Sequence, residues 1–238
     1  MGNFEAKRID HNALQPLSKN EKRNHDTLSK DSEVCKSNVE IFISNFRDYL
    51  LSTDVYECSS LLISENNWFF RKANVKCKGK DNVALPLFAG QLIQVDLGKD
   101  YEVESGLIHY GLILKVVKDK VLIIPMTTTP KQISVAFHPK KNPTGKFHLR
   151  RGLLSEGFTK SVALYINDIR CVSIGRLLPY KSVDKINVNT YNEIREHVLR
   201  YYFADMFKEY DNRVNQLTEE NSKLRGIVNS IKEIVIDK

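Results

Sequence analysis

Basic and aromatic residues alternate through one stretch of this 238-residue chain. Between Pro130 and Ser161 stand Lys131, Lys140, Lys141, Lys146, Arg150, Arg151 and Lys160, with His138 and His148 among them and few acids. Phe137, Phe147 and Phe158 are interleaved. Cations so spaced can follow phosphates while rings stack on bases, which suits a single nucleic-acid strand. The pattern equally fits a hairpin whose phenylalanines face a core and whose cations face water. A net charge of +7 inclines the chain mildly toward polyanionic partners.

Other chemistries find little support. Cys35, Cys58, Cys77 and Cys171 are scattered, none forms C-x-x-C, and no His sits beside them at ligand spacing. They read as buried or idle thiols, and neither a metal nor a cofactor is expected. No run of eighteen apolar residues exists, so no membrane span is expected. The first residues lack the apolar core of a secretory signal, and Ala6 does not fit the myristoylation pattern. A cytoplasmic location is the expectation.

The basic stretch must be positioned by the elements around it. Just before it, Leu92–Leu97, Tyr110–Val117 and Val121–Met126 are short runs rich in Val, Ile and Leu, as in strands buried in a small barrel. Asp119-Lys120 marks a hairpin between the second and third runs, and the loop Gly98–Leu107 joins the first two. After it, Val162–Ile166 and Ile169–Ile174 read as two more strands split by Asn167-Asp168. Residues 1–32 are polar and read as a disordered or loosely helical arm. Val39, Phe42, Ile43, Phe46, Tyr49 and Leu50 recur at three and four residues, predicting an amphipathic helix from Glu33. A second helical segment runs from Tyr56 to about Arg71, with Trp68 as a packing anchor.

From Thr190 the chain reads as helix to its end, with Thr190 and Glu193 as a capping box. Its apolar register becomes a heptad. Val214, Asn221, Val228 and Val235 fall at a, and Tyr210, Leu217, Leu224 and Ile231 at d. β-Branched residues at a, mostly leucine-like residues at d and one Asn at a favour a parallel two-stranded coil, with Glu220 at g facing Arg225 at e of the partner. A single amphipathic helix lying back on the rest of the chain is the alternative. A basic-region transcription factor is excluded, because no Lys/Arg block precedes the heptads. The fold class expected is α+β, in four parts: an arm at 1–32, a helical extension at 33–82, a barrel at 83–188 and a coiled coil at 190–238.

The strand region resembles the PemK/MazF family of bacterial toxins. The resemblance covers roughly Phe88–Leu178. It rests on Gly90 opening a strand that ends Val95-Asp96, the loop Glu104-Ser105-Gly106, His109 entering the second strand, Pro125-Met126-Thr127-Thr128 closing the third, and the segment Ile166 to Leu177. It implies a small SH3-like barrel, a homodimer, and metal-independent cleavage of single-stranded RNA. In that chemistry the ribose 2′-hydroxyl attacks the adjacent phosphorus, leaving a 2′,3′-cyclic phosphate and a 5′-hydroxyl. It further implies that Thr127 holds a phosphate oxygen, that Ser105 helps bind the phosphate, and that a cognate antitoxin covers the groove. Lys131, Lys140, Lys141, Lys146, Arg150, Arg151 and Arg176 are the candidate RNA contacts. Most members carry Arg followed by Pro where this chain has His109-Tyr110. Histidine cannot clamp a phosphorane as Arg does, but its ordinary pKa near 6.5 suits proton transfer. His138, His148 and Tyr110 are candidates for a second proton-transfer group. Two other classes remain open: a non-catalytic binder like the gyrase-poisoning toxins, whose barrel is similar, and a dimer that recruits another protein through its coil.

Overall fold

The computed structural model describes residues 6–71, 85–99, 104–179 and 184–236, and for 230 and 232–236 the backbone alone. The chain divides into two compact units, Met1–Asn66 and Asn67–Lys238, and the division falls inside a helix.

In the first unit, helices α1 (His11–Leu14) and α2 (Lys22–Asp26) precede α3 (Glu33–Ser52). Ser32 caps α3 by accepting from the Cys35 N–H. The segment read as a loose arm is strapped to α3. Asn45 Oδ1 accepts from the Lys7 N–H at 3.0 Å and Asn38 Oδ1 from the Asp10 N–H at 2.6 Å. The 3.6-residue stripe of α3 is present, yet Val39, Phe42 and Ile43 are exposed and the buried residue is Asn38. Helix α4 (Val55–Arg71) runs from this unit into the second. Trp68 is 55% exposed.

The second unit is α+β, an open and mostly antiparallel sheet of seven strands with helices. Strands β1 (Leu92–Asp96), β2 (Ile108–Val117) and β3 (Lys120–Thr127) pair in order. The β2–β3 turn is Lys118-Asp119, one residue earlier than expected, with Lys118 in the left-handed region at φ 50°. The basic stretch is no simple hairpin. It holds α5 (Pro130–Val135), β4 (Ala136–Phe137) and β5 (Lys146–Gly152). Pro130 at the first turn of α5 forfeits no needed hydrogen bond there. Strands β6 (Val162–Tyr165) and β7 (Arg170–Ser173) do not pair with each other. Both pair with β3, β6 at its C-terminal end and β7 at its N-terminal end, with a short 3-10 turn over Ile166–Asp168 between them. Strand β6 also pairs with β5, and an isolated bridge from Leu177 to Val95 returns the chain to β1.

Alternation along the strands buries a cluster on each face. One holds Leu92, Leu112, Ile124, Met126 and Leu164 under Ile194 of α6 (Val188–Tyr202). The other holds Ile93, Val95, Ile113, Val121 and Ile123. Helix α6 begins two residues before Thr190. The expected capping box is absent: Thr190 is buried and Glu193 turns to Arg150. The expected continuous helix is also broken. Phe203, at φ −127° and ψ 42°, separates α6 from α7 (Ala204–Ile236).

Candidate active site

Register places the predicted residues. Val95 on β1 stands opposite His109 on β2. Tyr110 stands opposite Met126, so one step along His109 is level with Thr127 on β3. Thr127 stands opposite Ala163 on β6, and Ala163 opposite Arg151 on β5. Residues opposite one another in antiparallel strands share a face. Val95, His109, Thr127, Ala163 and Arg151 therefore form one row across five strands. At about 4.8 Å per strand, His109 is a strand's width from Thr127, and only the Ala163 methyl separates Thr127 from Arg151.

The centre of this row is less buried than the residues on either side of it. Val95 is in the apolar cluster on one side, and Ala163 packs with Ala136 and Leu149 beneath Ile133 and Val135 on the other. His109 and Thr127, both half-buried, lie between. The Thr127 hydroxyl accepts from the Thr129 N–H at 3.1 Å and shares a hydrogen with the Thr129 hydroxyl at 2.8 Å. The Thr127 hydroxyl keeps one hydrogen to donate, for which the Thr129 hydroxyl is a neighbouring acceptor. The Arg151 Nε is buried without a hydrogen-bond partner among the described residues.

Ser105 is not part of the row. Its loop is tied elsewhere: the Ser105 N–H donates to Asp168 Oδ2 at 2.8 Å, and Arg170 pairs with the other Asp168 oxygen. Asp168, which fixes that loop, was read from sequence only as a turn residue. Arg176 is a strut, donating from Nη1 to the Asp96 carbonyl at 3.1 Å. Lys131, Lys140, Lys141 and Lys146 are exposed.

Arg150 corrects the reading of the basic stretch. It is 1% exposed, donating from Nη2 to Glu156 at 2.8 Å and reaching Glu193 of α6 at 3.4 Å. It is an interior ion-pair residue and not open to a strand of RNA. The aromatics pack within the chain, although Phe147 is 41% exposed. Phe158 is buried, and Phe137 and Phe147 pack on each other and on the ring of His197.

The candidates for a second proton-transfer group fall away from the row. The His138 Nδ1 accepts from the Lys140 and Lys141 N–H groups, each at 3.1 Å, so it holds its own turn. Burial, then the Arg150 charge, pushes its pKa below the ordinary histidine value. Tyr110 and His148 alternate onto the opposite face. Tyr110 there borders a cavity of about 430 Å³ with Leu92, Met126 and Val162 on its floor and Thr128 and Lys160 at its rim. Thr127 borders both the row and this cavity.

Cys35, Cys58 and Cys171 are free thiols, and Cys77 lies outside the described residues. Among the described residues no group of three or more His, Cys, Asp or Glu could hold a metal ion, and no helix is long and apolar enough to cross a membrane. No family model matches the chain, and no curated protein matches it.

Proposed function

We propose that this chain is a metal-independent endoribonuclease of the PemK/MazF kind, the toxin of a toxin–antitoxin pair. The observation that carries this reading is the level placement of His109 and Thr127 on neighbouring strands of one sheet face. The return of the chain from β7 to β1 through Leu177 and Val95 is in keeping with the family's small barrel.

The chemistry needs three things: proton movement at the 2′- and 5′-oxygens, a donor to the phosphorane oxygens, and positive charge nearby. His109 takes the 2′-hydroxyl proton as the O2′–P bond forms and gives a proton to O5′ as the P–O5′ bond breaks. The Thr127 hydroxyl donates to a non-bridging oxygen. Arg151, beyond the small Ala163, supplies the permanent charge that histidine at position 109 lacks. The exposed Lys131, Lys140, Lys141 and Lys146 hold the flanking phosphates. Ser105 is 9% exposed and anchored to Asp168, so its part is to shape the loop before β2.

The test is incubation of the purified chain with a long single-stranded RNA in EDTA, beside His109→Ala and Thr127→Ala. The expected result is discrete fragments ending in cyclic phosphate, reduced by at least about 10²-fold in each variant. Intact RNA with folded protein would overturn the enzyme reading and favour the non-catalytic binder.

A further inference from the structure

We infer that α7 pairs with the α7 of a second copy of this chain as a parallel two-stranded coiled coil. This does not depend on whether the row cuts RNA.

The break at Phe203 divides two helices with different tasks. Helix α6 buries Thr190, Ile194 and His197, and its Tyr191 hydroxyl donates to the Leu114 carbonyl at 2.7 Å. Helix α7 has no buried residue among those described. Val214, Leu217, Leu224, Val228 and Ile231 are between 40% and 59% exposed. They follow one heptad seam, with Val214, Asn221 and Val228 at a and Leu217, Leu224 and Ile231 at d. The side chain of Val235, the next a residue, lies outside the described residues. From Tyr210 to Ile231 the seam runs three heptads, about 32 Å at 1.5 Å per residue. Among the described residues nothing buries this seam, and a helix in a protein draws most of its stability from packing its apolar face.

The seam is complementary to itself. In a parallel, in-register pair each a layer meets its own copy, so Asn221 faces Asn221 and the amides can bond across the axis. In an antiparallel pair a faces d, and Asn221 would be set against an apolar or aromatic residue with its amide unmatched. Glu220 at g lies beside Arg225 at e of the other helix in the parallel arrangement alone. In the single chain the Asn221 amide bonds back to its own Leu217 carbonyl at 3.1 Å. Gly226 falls at the outward f position, where an added Cβ would meet nothing within 4 Å.

Arg200 of α6 also contacts the start of α7. Arg200 donates from Nε to Glu196 at 2.8 Å and from Nη1 to Asp211 at 3.1 Å, and it lies over the Phe207 ring.

The test is the mass of the full chain in solution by light scattering at about 10 µM. We expect twice the chain mass of 27.4 kDa, and the Leu217→Asp/Leu224→Asp change to abolish the α7 cross-link read by the cysteine variant below. Helix α6 and the sheet should stay folded, because both substituted side chains are exposed. An Asn221→Cys variant should form a disulfide-linked dimer under mild oxidation that the parent chain, with its four cysteines, does not form. A monomeric parent, an Asn221→Cys chain that stays unlinked while dimeric, or a link that forms equally well with the double aspartate change added would each overturn the inference.

Discussion

His197 couples the docking of α6 to pH. Its ring is 5% exposed and lies against Phe147 and Phe137, with Nε2 2.7 Å from the Phe147 carbonyl. That carbonyl can only accept, so Nε2 carries the hydrogen of the neutral tautomer, and Nδ1 is buried without a partner among the described residues. Burial lowers its pKa to about 4, and the Arg150 charge adds to the effect. Above pH 6.5 the folded and unfolded chains both hold a neutral ring, and the full stability is present. As the pH falls through 6.5 only the unfolded chain takes up the proton, so stability drops until the native ring protonates near pH 4. At about 1.4 kcal/mol per decade of proton affinity, this is a loss of about 3 kcal/mol. Urea unfolding followed by circular dichroism at pH 7.5 and 4.5 measures it, with His197→Gln as reference. Glutamine keeps an N–H for the Phe147 carbonyl and does not titrate. Carboxylates and His138 act in both proteins, so the difference between the two pH profiles isolates His197. The parent should lose about 2–3 kcal/mol more than the variant over this interval. Parallel profiles would show that the ring is not held neutral and would refute the reasoning.

Two further outcomes separate interior from surface. Arg150→Met leaves the Glu156 carboxylate without its main partner and should cost about 3–5 kcal/mol in the same unfolding assay, part of it recovered in Arg150→Met/Glu156→Gln. A loss of RNA affinity at unchanged stability would instead return Arg150 to the surface list. A Cβ at Gly145 would stand 2.6 Å from the Asn142 amide nitrogen and 2.7 Å from the Phe137 backbone nitrogen. Gly145→Ala should destabilise by about 1–3 kcal/mol, since backbone cannot yield. At about 2–4 °C per kcal/mol the thermal midpoint falls accordingly, and an unchanged midpoint would contradict the close approach.

The parts of the fold legible in the sequence were those set by local pattern. Runs of Val, Ile and Leu gave β1, β2 and β3 to within a few residues, and the three- and four-residue recurrence gave α3. What depends on distant partners was hidden. Arg150 reads like its neighbours until Glu193, forty-three residues on, is brought against it. Thr190 and Glu193 match a capping box by spacing, but the pull of Arg150 and burial of Thr190 take both away from the helix end. The break at Phe203 carries no Pro or Gly to announce it. Helix α5 did leave a signal, Thr129-Pro130, the usual dress of a helix start. At the site, His109 and Thr127 were singled out by motif, whereas their alignment with Ala163 and Arg151 needs the long-range register of β3, β6 and β5. Charge in the basic stretch was a poor guide for the same reason: Arg150 and Arg151 are adjacent, yet strand alternation sends them to opposite faces.

The sharing of β3 has a consequence for synthesis. Its first edge is covered by β2 as soon as that hairpin closes, but its other edge waits for β6 and β7, and β7, which pairs with Lys120–Ile123, begins about 43 positions after Thr127. At about 5–20 residues per second, the growing chain carries that edge unpaired for roughly 2–9 seconds. The exposed sequence is Val121-Leu122-Ile123-Ile124, strongly β-forming and without charge, the kind of edge on which other chains pair. Lys118, Asp119 and Lys120 at one end of it and Lys131 beyond the other place charge where a neighbouring nascent chain would have to align, so the newborn strand is guarded until its own partners arrive.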